Sequence, residues 1–204
     1  MIAIVDYGLG NVRAFLNLYR RLNIEAFAAA SPDHLERAER VILPGVGHFD
    51  HAMQLLEASG LRATLDRLVL ERRVPLLGIC VGMQILGHES DEGSRPGLAW
   101  VDGRVRSFAG WEPARSLPIP HMGWNDVRPL SPGGLFAQLG EESRFYFLHS
   151  YFFECAEKDD SVAVAHYGGD FTCAFRHRNI HGVQFHPEKS HHFGTRLLQN
   201  FATL

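Results

Sequence analysis

Cys80 is the residue of this sequence best placed to act as a nucleophile. It sits in Leu76-Leu77-Gly78-Ile79-Cys80-Val81-Gly82-Met83-Gln84, where an apolar run that reads as a buried strand meets Gly-x-Cys-x-Gly and then helical sequence. This is the thiol form of a nucleophile elbow: small residues on either side let the chain turn sharply from strand to helix. Such a turn holds the nucleophile in a strained backbone conformation. Its sulfur then lies at a helix N-terminus, where the dipole favours the thiolate. The N–H of Val81, next in the chain, faces an oxyanion developing on the substrate. The same pattern also fits a buried structural cysteine between two packing glycines.

A base is supplied by Gly182-Val183-Gln184-Phe185-His186-Pro187-Glu188, which puts a histidine and a carboxylate two residues apart at a strand end. In extended chain those two side chains point the same way. Glu188 can therefore hold one ring nitrogen of His186 while the other faces Cys80, an arrangement of nucleophile, base and orienter. A further strand end, Leu43-Pro44-Gly45-Val46-Gly47, can turn backbone N–H groups toward a ligand and supply a second oxyanion donor at Val46. Taken alone, it is also an ordinary turn.

These groups need a scaffold that brings strand ends together. Ile2-Ala3-Ile4-Val5, Glu25 to Ala28, Val41-Ile42-Leu43 and Pro75 to Ile79 are short apolar strands. They alternate with helical sequence: Val12, Phe15, Leu16, Tyr19 and Leu22 form one face, a short helix opens at Ser31-Pro32, and helical material runs from about Met53 to Arg73. Continuous apolar strands separated by helices mean a parallel sheet covered on both faces. Past Gly97 the texture becomes β-rich, with Trp100–Val105, Ile119–Val127, Phe145–Phe153, Val162–His166, Thr172–Arg176 and Ile180–Phe185 as strands. Arg176-His177-Arg178-Asn179 suits a tight hairpin, and Phe193, Leu197, Leu198 and Phe201 mark a closing helix. The expected fold is α/β: a single domain with an open, mostly parallel central sheet, helices on both faces and an antiparallel β extension. The three chemical motifs then fall at C-terminal strand ends, where open α/β sheets bind ligands.

Composition narrows the function further. At 204 residues and 46% hydrophobic, the chain buries roughly 70% of its unfolded surface and needs no disulfide or metal to hold a core. A balance of 20 basic to 23 acidic residues argues against nucleic-acid binding through phosphate neutralisation. No apolar run is long enough to span a membrane. The 3 cysteines have no metal or framework spacing, which points to a reducing cytoplasm. His191 and His192 follow His186 closely, but no further ligands at zinc spacing accompany them.

Gly78-Ile79-Cys80-Val81-Gly82-Met83-Gln84 together with Gln184-Phe185-His186-Pro187-Glu188 resembles the class I, triad-type glutamine amidotransferases. Asp6-Tyr7-Gly8-Leu9-Gly10-Asn11, His121-Met122-Gly123-Trp124-Asn125 and Tyr146-Phe147-Leu148-His149-Ser150-Tyr151 narrow the resemblance to the branch of that family serving histidine biosynthesis. The likeness runs from residue 2 to 201 and implies one amidotransferase domain over 1–204. It implies that Cys80, His186 and Glu188 are a triad hydrolysing L-glutamine to glutamate and ammonia without a cofactor or metal. Val81 and Val46 are then the oxyanion pair, and Gly47, Gln84, Glu92, Ser150 and Tyr151 hold the substrate. The resemblance also implies a heterodimer with a (β/α)8 cyclase, which uses the ammonia to form imidazole glycerol phosphate and AICAR. Asn11, Trp124, Asn125 and Lys189 match its docking positions, although Trp124 also suits a core tryptophan of a β-rich half. The stretch from Ala109 to Arg115 looks longer than the minimal version of the family and widens a loop.

Overall fold

The computed structural model describes residues 1–140 and 142–204. The N-terminal half alternates strands and helices as its apolar pattern requires: β1 (Ile2–Val5), α1 (Val12–Arg21), β2 (Ala26–Ala29), α2 (Pro32–Leu35), β3 (Arg40–Gly45) and α3 (Phe49–Ala58). α4 (Arg62–Asp66), which runs on into a π-helical turn at Arg67–Glu71, leads to β4 (Leu76–Cys80) and α5 (Val81–Gln84). Then follow β5 (Gly103–Ser107), β6 (His121–Asp126), β7 (Arg128–Pro129), β8 (Arg144–His149), β9 (Tyr151–Cys155), β10 (Ser161–His166), β11 (Asp170–His177), β12 (Ile180–Val183) and α6 (His191–Phe201).

One eight-stranded sheet, in the order β2-β1-β3-β4-β12-β11-β10-β7, forms the centre. β2, β1, β3, β4 and β12 run parallel, and β11, β10 and β7 extend the sheet antiparallel. The parallel strands β1 and β4 are buried at every residue, which is why they read as continuous apolar runs. Two smaller antiparallel ribbons, β5-β9 and β6-β8, complete the β-rich half. The expected mixed α/β architecture is therefore present.

Boundaries differ from the sequence pattern in places. The stretch from Met53 to Arg73 is two helices and a π turn; the chain breaks at Gly60, whose φ of +72° is left-handed. Phe145–Phe153 is two strands that belong to different ribbons, parted at Ser150. The helix after Cys80 is a single turn. The hairpin lies between β11 and β12, with His177 opposite Ile180 and Arg178 at φ +56°. The Ser31 hydroxyl caps α2 by accepting from the His34 N–H, as Ser-Pro at a helix start suggests.

Neighbouring strands make the site. β4 lies between β3 and β12, with Leu43 opposite Gly78 on one side and Gly182 opposite Gly78 on the other. Residues distant in sequence, at Gly45–Gly47, Cys80 and Gln184–Glu188, thus emerge side by side at one sheet edge.

Candidate active site

Cys80 ends β4 and starts α5 with φ +55° and ψ −114°, a left-handed conformation rare for a residue with a side chain. Two close approaches enforce it. A Cβ on Gly82 would lie 1.9 Å from the Leu43 carbonyl oxygen, and one on Gly45 would lie 2.2 Å from the Gly82 nitrogen. The elbow and the end of β3 are thus meshed backbone to backbone. Val81 is the first residue of α5, so its N–H has no partner within the helix and is free to meet an anion. Val46 follows β3 directly and is 40% exposed at the rim, beside Gly47 with φ +86°. The Tyr7 hydroxyl, just past β1, donates to the Pro44 carbonyl at 2.8 Å and braces the strand from below.

His186 leaves β12 toward the same point. Its N–H donates to the Tyr146 carbonyl at 2.9 Å, and the buried Ser190 hydroxyl donates to its carbonyl at 2.6 Å, so the backbone is fixed on both sides. Its Nδ1 lies 3.0 Å from Glu188 Oε1, and both side chains are 4% exposed. Burial opposes a charge on His186. Hydrogen bonds with Cys80 and Glu188, and the negative charge of both, overcome that and push its pKa up to about 10. The imidazolium is therefore the favoured form beside the sulfur.

Cys80 and His186 open on one cavity of about 460 Å³, whose lining also includes Val46, Gly47, Val81, Gln84, Glu92, Ser150, Tyr151 and Lys189. Its size lies in the range of roughly 300–1,000 Å³ usual for small-molecule sites. The expected nucleophile, base, oxyanion donors and substrate-holding residues thus meet around one space, with Glu188 directly behind the base. Two of them have additional partners. Glu92 Oε2 accepts from the Phe49 N–H at 2.8 Å and so caps α3. The Gln84 amide donates to the Tyr151 carbonyl at 3.2 Å and to Gln184 Oε1 at 3.1 Å.

The residues expected to dock a partner separate into two groups. Trp124 is 43% exposed and stacks on His191 at 5.1 Å and 5°, which rules out a core role. Met122 lies two residues along the same strand, 66% exposed and opposite the half-exposed Leu148, so an apolar strip runs from Trp124 toward the cavity mouth. Lys189 Nζ sits 5.6 Å over the Tyr146 ring. Asn11, exposed at the start of α1, caps that helix by accepting from the Ala14 N–H. Asn125, next to Trp124, points the other way, because side chains alternate along a strand. Its amide reaches His121 Nε2 at 3.2 Å and the His166 carbonyl at 2.9 Å.

Gln184 is the residue that sequence reasoning passed over. It is fully buried, and its Nε2 lies 3.8 Å from Cys80 Sγ. The available signal is its place two residues before His186 on the same extended segment. Among the described residues, no group of three or more His, Cys, Asp or Glu side chains is placed to hold a metal ion. No described helix is long and apolar enough to cross a membrane.

Comparison with known proteins follows the same lines. The family described as glutamine amidotransferase class-I matches residues 3–204. The chain is 57% identical to the imidazole glycerol phosphate synthase subunit HisH of Bdellovibrio bacteriovorus over 204 residues, covering 100% of both chains. It is 49% identical to the subunit of the same name from Leptospira borgpetersenii, again over 100% of both. Among solved structures, a glutamine amidotransferase superposes with a TM-score of 0.76 at 22% identity, covering 100% of both chains. PurLQS from Thermotoga maritima gives a TM-score of 0.73 at 17% identity over 99% of this chain and 97% of that one.

Proposed function

The chain belongs to the class-I glutamine amidotransferases, and from that premise we propose that it is the glutaminase subunit of an imidazole glycerol phosphate synthase, working through a Cys80-His186-Glu188 triad. The observation that carries this reading is the meeting, at one cavity, of a cysteine held at φ +55° and a histidine whose other ring nitrogen is held by a buried carboxylate.

Glutamine enters with its side-chain amide toward Cys80. Glu92 suits its ammonium group, while Ser150, Tyr151 and Gly47 offer hydroxyl and backbone groups to the rest of the amino acid. The Cys80 thiolate attacks the amide carbon, and the negative charge that moves onto oxygen is met by the N–H groups of Val81 and Val46. The C–N bond then breaks as His186 gives its proton to the departing nitrogen, which leaves as ammonia. A γ-glutamyl thioester remains on Cys80. His186, now neutral, takes a proton from water; the hydroxide attacks the thioester, the C–S bond breaks and glutamate leaves. A pKa pushed up to about 10 in the ion-paired resting state matches a group that must be protonated before ammonia departs.

The ammonia passes to a (β/α)8 cyclase docked on the Trp124-Met122-Leu148 strip, with Lys189 and Asn11 at its margin, and that partner forms imidazole glycerol phosphate and AICAR. A flat, half-exposed tryptophan inside an apolar strip is the kind of anchor expected near an interface centre. The test uses the reconstituted heterodimer. Cys80→Ala should abolish glutamine-driven synthesis and leave synthesis from added ammonia intact. Loss of both activities in a folded complex would make Cys80 structural and refute the reading.

A further inference from the structure

Two runs of hydrogen bonds meet at the Tyr151 carbonyl, and one of them ends on the nucleophile. Tyr151 O can only accept, so His149 Nδ1, 2.7 Å away, carries the hydrogen. His149 Nε2 is then bare and accepts from His121 Nδ1 at 2.9 Å. That leaves His121 Nε2 bare to accept from the Asn125 amide at 3.2 Å. Each ring thus has one tautomer, and both rings are neutral: burial pulls the pKa of His121 down to about 4 and that of His149 to about 3.

From the other side, Gln84 donates to the same Tyr151 carbonyl and to Gln184 Oε1. The oxygen of Gln184 is thereby committed to Gln84, so its NH2 group must face Cys80. An amide turned the other way would set two NH2 groups against each other and present an acceptor to the sulfur.

We propose that Gln184 is a further catalytic residue, donating a side-chain N–H to the Cys80 thiolate, and that Gln84 fixes the orientation of that donor by spanning Gln184 and the Tyr151 carbonyl, which His149 holds in place. This rests on Cys80 being the nucleophile. The other titratable groups around the sulfur and its cavity are His186 with Glu188 behind it, Tyr7 just past β1, Glu92, Lys189, Tyr151 and the neutral His149. Of these, His186 must give up its proton to the leaving nitrogen. Gln184 does not titrate, so it stays a donor when the thiolate re-forms after the thioester is hydrolysed. The run on the other side of the Tyr151 carbonyl ends at Asn125, the neighbour of Trp124, so the proposed docking strand and Gln84 grip the same carbonyl.

The test is the rate of alkylation of the full-length protein by iodoacetamide as a function of pH, with the adduct located by mass spectrometry. Burial, aided by the charge of Asp160, pushes the Cys155 thiol up to about 12, and burial pushes Cys173 up as well, so labelling near neutrality reports Cys80. Gln184→Met keeps the volume and removes the donor. It should slow alkylation at pH 7 about tenfold and move the rate-against-pH curve to higher pH, as expected for losing a hydrogen bond to a charged group. His149→Phe, a ring-for-ring change in an aromatic cluster on the wall of the same cavity, should shift the curve the same way by about threefold, through a loosened Gln84. A wild-type curve in either folded variant overturns the corresponding half of the proposal. An adduct on a cysteine other than Cys80 would instead refute the nucleophile assignment beneath it.

Discussion

Replacing Gly82 by alanine tests whether the meshed backbones of the elbow and β3 set catalytic geometry. The added Cβ would stand 1.9 Å from the Leu43 carbonyl oxygen, where real Cβ atoms need about 3.0 Å, so the two segments must part by roughly 1.1 Å. No flexible side-chain tip can absorb this, because the nearest atoms belong to the Leu43 and Pro44 backbone. Either the elbow retreats, carrying Cys80, or β3 retreats, carrying Val46. Overpacking of this kind costs about 1–3 kcal/mol, which lowers the melting temperature of a chain this size by roughly 2–12 °C. The kinetic cost is greater. A misplacement of about 1 Å between nucleophile and oxyanion donor is worth on the order of 100-fold in rate. Glutamate release by the reconstituted complex, with ammonia-driven synthesis and a thermal melt in parallel, reads both effects. Gly110→Ala is the control, since its Cβ would meet no heavy atom within 4 Å. A Gly82→Ala enzyme with kcat within about threefold of the parent would refute the geometric argument.

Two other outcomes follow from the same description. Trp124→Ala should weaken heterodimer formation by at least about 30-fold, the effect of an interface anchor worth about 2 kcal/mol. Titration calorimetry would measure it, and an unchanged affinity would place the docking face elsewhere. Acid should destabilise the fold between pH 6.5 and 5, because burial holds the pKa of His149 down to about 3, and burial with the charge of Arg176 holds that of His181 down to about 4. The unfolded chain binds protons there that the folded chain refuses, so stability falls with pH, by about 2 kcal/mol per histidine at pH 5. His186 has the opposite sign: its stabilisation is fully present below pH 6.5 and is lost only as pH rises toward 10, so it offsets nothing in this window. A denaturant midpoint that stays level from pH 6.5 to 5 would contradict this.

The parallel strands and the chemical motifs were legible because each is a local pattern. β1 and β4 are buried on both faces and so lack polar interruptions, and the Gly-x-Cys-x-Gly and His-Pro-Glu segments carry their geometry in adjacent residues. What the sequence concealed is set by distant partners. Phe145–Phe153 reads as one run because apolar residues lie on both sides of Ser150. It is parted where the His149 ring turns to hold the Tyr151 carbonyl. Asn125 beside Trp124 reads as a docking residue, and only the fold shows that its amide also reaches His121. Gln184 reads as an ordinary polar residue, and only the contact of β12 with β4 reveals that it is buried against the sulfur.

The place of β12 between β4 and β11 has a consequence for the chain as it is synthesised. The thiol emerges early, but its neighbours Gln184, His186 and Glu188 arrive only with the last strand and the turn before α6. A nascent or prematurely terminated polypeptide that lacks them carries Cys80 without these neighbours. The grouping of sulfur, imidazole and carboxylate is complete only once the final strand lies between β4 and β11.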